Sequence, residues 1–132
     1  MNTTEFRRLN YVIDQFGEIT QIDSISETEI FSKVIGEIPI YCVFPISLTE
    51  DILLKCEGFT KTEDLGDMVY FDNGKYGVCF DHDEIVFYKC GFKDEIHNLI
   101  YDAEHFQFLH QLQNLIKSLT GEELTVNLIN NL

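Results

Sequence analysis

Cys79 and His82 are the pair whose type and spacing come nearest to metal chemistry. A C-x-x-H knuckle offers two ligands on one turn, and Cys90, His97, His105 and His110 follow along the chain. Structural zinc wants two such paired spacings. Only one is present, so the expectation is a buried thiol beside a turn histidine. A second group is Asp81-His82-Asp83-Glu84 with Asp102 and Glu104. Clustered carboxylates can hold Mg²⁺ and activate water, which makes a small metal-dependent hydrolase using the 81–84 turn one alternative reading. The spacing fits no nuclease or EF-hand loop and lacks the required glycine. Nucleophilic catalysis finds no local signature. Cys42, Cys56, Cys79 and Cys90 all sit in apolar runs, which raise rather than lower a thiol pKa. No Gly-rich phosphate loop occurs. No cofactor is implied, and no catalytic or metal residue is assigned.

The remaining constellation is electrostatic. Glu63, Asp64, Asp67, Asp81, Asp83 and Glu84, with Asp94 and Glu95 further on, fall between strand-like runs. Alternate turns of a meander lie at one end of the sheet, so the 63–67 loop and the 81–84 turn are expected to cluster, with Tyr70 or Tyr88 exposed nearby. Such an acidic end can engage a basic groove on a protein by imitating phosphates. The plainer alternative is a solvated rim.

The global charge agrees with that reading. Nine Lys and Arg stand against 23 Asp and Glu, for a net charge of −14. Up to Ile46 the chain holds 3 basic and 7 acidic residues, a net −4; beyond it, 6 and 16, a net −10. A direct grip on nucleic acid needs a basic footprint and is not expected. An anionic membrane surface is disfavoured for the same reason. A basic protein partner is permitted. Residues 1–10 lack an apolar core after their two arginines, and no apolar run reaches membrane-spanning length. With four dispersed cysteines, the expectation is a reduced, cytoplasmic setting.

The elements that must position these groups follow from periodicity. With 132 residues, 45% hydrophobic and 13% aromatic, the chain suffices for one domain or one domain with a small N-terminal subdomain. Two sections are expected: a β-rich part over 1–46 and a helix–meander–helix part over 47–132. In the first, 9–13, 18–25, 29–35 and 38–44 read as strands, with a bulge to repair the phase of Ile22 and Pro39 weakening the last. An SH3-like barrel or a compact meander would result. In the second, 48–59 reads as a helix with Thr49 as N-cap. The 60–67 segment reads as an acidic loop. Residues 68–72 and 75–81 read as a hairpin about Asn73-Gly74, pairing Phe71 with Tyr76 and Val69 with Val78. Strands over 84–90 and 96–101 complete the meander. Residues 126–132 read as a tail that adds an edge strand or frays.

The best-specified element is the helix over 105–124. Phe108, Leu109, Leu112, Leu115, Ile116 and Leu119 form one stripe at helical spacing, with Gln113 among the polar filler and His110 at the border or beyond it. Gly121 is the expected left-handed cap. An amphipathic stripe must be buried, and the meander is the expected receiver. The fold class is therefore α+β.

The segments LTEDILLKCEGF (48–59) and HQLQNLIKSLTGEELT (110–125), with the Asn73-Gly74 meander between them, resemble a family of small, uncharacterised proteins frequent in Bacteroidetes genomes and their phages. Its members open with a β-rich section, represented here by FRRLNYV at 6–12. Glu57 is an insertion against the family's C-G-F. The resemblance implies a phage or mobile-element origin and carries no activity. Together these features point to a non-enzymatic, acidic protein-binding module, in its concrete form an anti-CRISPR-like inhibitor of a host nucleic-acid-directed defence enzyme. A homodimeric structural or accessory protein is a further alternative.

Overall fold

A computed structural model describes residues 6–82, 84–90, 99–101 and 106–128, with side chains for all of these except 99–101. The architecture is α+β and dominated by antiparallel strands in three sheets. It divides into two compact units. The first takes the chain up to Ser47 together with Phe108–Leu124 and Leu128; the second takes Leu48–Gln107 together with Thr125–Asn127. The first crossing thus falls beside the expected 46/47 boundary. The return of the chain to the first unit at Phe108 has no counterpart in the sequence reading.

The first unit carries two small sheets and the long helix. β1 (Tyr11–Ile13), β2 (Ile19–Gln21) and β6 (Phe44–Pro45) form one sheet in the order β2-β1-β6. β3 (Ser24–Ile25), β4 (Glu29–Ser32) and β5 (Gly36–Pro39) form the other. The β1–β2 hairpin is set by Asp14, whose Oδ1 accepts the N–H groups of Phe16 and Glu18, both at 2.9 Å. Gly17 completes the turn at φ +80°, a conformation glycine adopts without steric cost.

Three strand expectations are corrected here. The 18–25 run is not one bulged strand: it breaks after Gln21 and changes sheet, and Ile22 at the break is the fully buried residue. Its N–H and C=O bond to Asn10 and Leu9 instead of a straight ladder. The 29–35 strand ends at Ser32, and Gly36 opens β5 instead of closing β4. The 38–44 strand is interrupted by a 3₁₀ turn over Ile40–Cys42, directly after Pro39 ends β5. Phe6, Val12, Ile22, Ile30, Ile38 and Val43 form the core of these sheets.

The long helix, α2 (Leu109–Thr120), ends at Gly121 with φ +79°, whose N–H bonds to the Lys117 carbonyl at 2.8 Å. Its start is later than expected. Phe108 is extended, and its N–H is received by the Gln111 side chain at 3.0 Å. The expectation that the meander receives this helix is corrected: α2 belongs to the unit of the N-terminal strands. The reason is polar. Gln113 is buried; its Oε1 accepts the Tyr11 N–H at 2.9 Å and its Nε2 donates to the Leu9 carbonyl at 3.0 Å. Asn114 Oδ1 accepts from Arg7 Nε at 2.7 Å and Asn10 Nδ2 at 2.9 Å. Arg7 also forms a two-pronged ion pair with Glu123, at 2.7 and 3.1 Å. His110, expected at the border of the stripe, is fully buried against the rings of Phe6 and Phe108. Leu119, expected within the stripe, is 40% exposed.

The second unit is a five-stranded antiparallel sheet preceded by a short helix. α1 (Glu50–Leu54) is capped by Thr49, whose Oγ1 accepts the Ile52 N–H at 3.2 Å. It stops five residues short of the expected end at 59, where Cys56 instead pairs with Val126 in an isolated bridge. The strands β7 (Thr60–Asp64), β8 (Met68–Asp72), β9 (Tyr76–Asp81), β10 (Glu84–Lys89) and β11 (Leu99–Tyr101) lie in sequence order. The expected acidic loop over 60–67 is thus mostly an edge strand, with a bulge between Lys61 and Glu63. Charged side chains and a bulge protect such an edge from adding foreign strands.

The hairpin register also differs from expectation. Phe71 faces Val78 and Val69 faces Phe80. Asn73 Oδ1 accepts the N–H groups of Lys75 and Tyr76, at 3.0 and 2.9 Å. This draws Asn73 into the arm opposite Tyr76 and leaves Gly74-Lys75 at the tip. Each strand moves by one position, so side chains keep their faces. Both faces are buried: Phe71 and Phe87 on one, with Phe87 against Phe106, and Tyr70, Cys79, Val86 and Tyr88 on the other. Gly77 lies opposite Tyr88, and a Cβ there would clash with the phenol end of the tyrosine, at Cζ and the hydroxyl oxygen.

Chemical denaturation of single variants will rank these features. Leu112→Ala will lose about 2–5 kcal/mol as a core truncation, whereas Leu119→Ala will cost well under 1 kcal/mol. Gln113→Leu will cost about 1–3 kcal/mol by orphaning the Tyr11 N–H. Separately, Gly77→Ala will destabilise by at least about 1–3 kcal/mol through overpacking, and the double variant with Tyr88→Ala will recover part of the Gly77→Ala loss.

Candidate functional site

The acidic turns of the meander come together at one end of the β7–β10 sheet. Met68 pairs with Asp81, which in turn pairs with Glu84. His82, at φ +56°, donates its backbone N–H to the Asp67 carbonyl at 3.1 Å. Its Nδ1 stands 2.7 Å from Asp81 Oδ1, and its Nε2 4.0 Å from Asp67 Oδ2. Asp64, Asp67 and Glu84 are exposed, and Asp81 is partly so. Asp83 lies outside the described residues, as do His97, Asp94, Glu95, Asp102, Glu104 and His105. Glu63 is half-buried within β7 opposite Tyr70 and so stands back from the turn. The Gly66 N–H, 3.0 Å from Asp64 Oδ1, holds that carboxyl below its usual range, helped by Lys61 at 3.3 Å. The expected exposed aromatics are corrected: Tyr70 and Tyr88 are buried, and burial pushes the Tyr88 hydroxyl up.

The Cys79–His82 pair does not converge. Cys79 sits in the apolar cluster with Tyr70 and Val86, while His82 is exposed in the turn. Among the described residues no group of three His, Cys, Asp or Glu is placed to hold a metal ion. Cys56 is buried between α1 and the 125–127 segment, and burial pushes its thiol from 9.0 up to about 12. Cys79 is pushed up to about 11, first by burial and then by Asp81.

A second feature lies in the first unit: a half-open groove of about 270 Å³ between its two sheets. Thr20, Ile22 and Ser32 form its buried floor, with the Thr20 and Ser32 hydroxyls hydrogen-bonded to each other across the sheets. Leu9, Tyr11, Gln21 and Asp23 are its half-buried walls. Arg8, Lys33 and Val34 are its exposed rim. Leu9 is held at φ +74°, a costly conformation for a bulky side chain. The Gln21 and Gln113 amides, at 2.9 and 3.0 Å, fix its carbonyl. The sequence reading passed over this groove. Its one signal was that Arg8 and Lys33 are two of the three basic residues before Ile46.

No family model, no curated protein and no solved structure matches this chain. Among the described residues no helix is long and apolar enough to cross a membrane.

The buried thiols make stability pH-dependent. Above pH 9 the unfolded chain ionises its cysteines while native Cys56 stays protonated, so stability falls as pH rises from about 9 towards 12. Urea midpoints at pH 8 and pH 10 will show this drop, and Cys56→Ala will make it smaller.

Proposed function

We propose that the protein is a non-enzymatic binding module whose acidic meander end docks on a basic protein partner. The supporting observation is the convergence of Asp64, Asp67, Asp81 and Glu84 on one sheet end, tied through the His82–Asp67 backbone bond. The stretch Leu48–Gln107 that carries them holds 14 acidic and 5 basic residues, a net −9 of the total −14. Hydrogen bonds within and between the turns order the backbone that carries these charges. Little conformational entropy is lost when a partner engages them, and their field accelerates encounter. The resemblance to phage-associated proteins makes a host nucleic-acid-directed defence enzyme, such as a CRISPR effector, the concrete form of that partner. Its groove is basic, and ordered carboxylates can occupy phosphate positions there.

Affinity capture from a Bacteroidetes host lysate tests this. A nucleic-acid-binding protein is expected to be retained at low salt and released at high salt. Retention will fall at least tenfold for the quadruple variant Asp64→Asn, Asp67→Asn, Asp81→Asn, Glu84→Gln. Capture indifferent to both salt and these substitutions would overturn the reading.

A further inference from the structure

We propose that the groove between the two N-terminal sheets is a binding site for a small hydroxylated anion, of the sugar-acid or sugar-phosphate class. Four observations converge. The space, about 270 Å³, is just below the usual range of small-molecule clefts, which restricts it to a small ligand. It grades from a buried floor, Ile22 with the mutually bonded Thr20 and Ser32 hydroxyls, to an exposed cationic rim, the arrangement that leaves a ligand's charge at the mouth. In a chain of net charge −14, Arg8 and Lys33 meet at this one rim.

Their positive charge is only partly answered. Arg8 Nε donates to the Asp23 backbone carbonyl at 3.1 Å, and among the described residues its two Nη groups make no hydrogen bond. Lys33 is highly exposed and reaches Asp23 only at 3.7 Å. With Asp23 counted, the lining carries a net +1, which suits a single carboxylate or phosphate. A planar guanidinium engages such an oxyanion with two parallel N–H groups. Tyr11 and Gln21 also line the groove, and both are side-chain types that can exchange hydrogen bonds with the hydroxyl groups of a ligand.

The fourth observation is the backbone. Leu9 is the wall residue held at positive φ, and the amides that pin it come from Gln21 and from Gln113 on α2. Strain that the surroundings over-determine is found at ligand sites, where it pre-forms the wall. The local charge is opposite in sign to that of the whole protein, so recognition rests on these side chains and not on the long-range field. The site shares no residue with the acidic meander end, and the two proposals fail independently.

Amide chemical-shift titration of the full chain tests it with four probes: glucuronate, glucose 6-phosphate, inorganic phosphate and neutral glucose. Saturable shifts are expected at Leu9, Tyr11, Gln21, Lys33 and Val34 with at least one of the two hydroxylated anions at millimolar concentration. Glucuronate against glucose 6-phosphate distinguishes a carboxylate site from a phosphate site. Affinity will fall at least tenfold in Arg8→Gln/Lys33→Gln, whose side chains are exposed and whose melting temperature should match the parent. Three results would each overturn the proposal: no saturable shift with either hydroxylated anion, equal response to neutral glucose, or undiminished binding by the double variant. A response to inorganic phosphate equal to that of glucose 6-phosphate would also overturn it, by removing the role of the polyol body.

Discussion

The structure of the first unit depends on a polar clasp between its opening strand and a helix more than a hundred residues later. Arg7, Asn10 and the Tyr11 backbone meet Gln113, Asn114 and Glu123 across sequence separations of 102 to 116 residues. An exposed ion pair alone contributes little. Here the guanidinium is shared between a carboxylate, an amide oxygen and a backbone carbonyl, and a buried glutamine completes the ladder edge. Such networks cost more to disrupt than to omit, because each removed partner strands a desolvated group. The clasp also specifies rotation. It turns Gln113 inward and Leu119 outward, against the purely apolar order of the helix.

Connectivity follows from that contact. The first unit is assembled from both ends of the chain and the second from its middle. The Thr125–Asn127 segment returns to the second unit, bonding through its backbone to Lys55 and Glu57. Neither unit is a contiguous piece of sequence. Long-range closure of this kind costs chain entropy before contacts compensate, and it slows folding relative to chains of local contacts. The local order of the meander, with strands in sequence order, offers a nucleus of short-range pairs.

Charge is distributed along the same lines. The acidic surplus is concentrated in the middle of the chain, where turns of the meander project it. The few cations of the first unit have defined places: Arg7 inside the clasp, Arg8 and Lys33 at the groove rim, and Lys117 on the Gly121 carbonyl at the helix end. Residues 7–9 therefore have three adjacent duties. One side chain fastens the helix, the next faces the groove, and the strained Leu9 backbone joins them. Gln113 touches both functions, because the amide that satisfies Tyr11 also pins Leu9. Helix placement and groove shape are mechanically one problem.

Local rules made much of this legible. Thr49 as a cap, Gly121 as a left-handed stop, the strands over 68–72 and 84–89 and the proximity of the two acidic turns follow from short-range chemistry and from the parity of a meander. The residues the sequence singled out for chemistry are a different matter: Cys79 and His82 share a spacing but not a direction. The Asn73 register escaped because a side chain competed with the backbone for the turn. The edge strand at 60–64 escaped because its burial is too low to leave a hydrophobic pattern. The groove escaped because its residues come from three separate segments, none distinctive alone. By itself the sequence determined the fold class, the caps and the acidic end, since those depend on neighbours within a turn or a hairpin. Only the tertiary structure decided which unit owns α2, which polar residues are buried and where the cations gather. Those depend on contacts between separate segments of the chain, for α2 more than a hundred positions apart, and no periodicity encodes them.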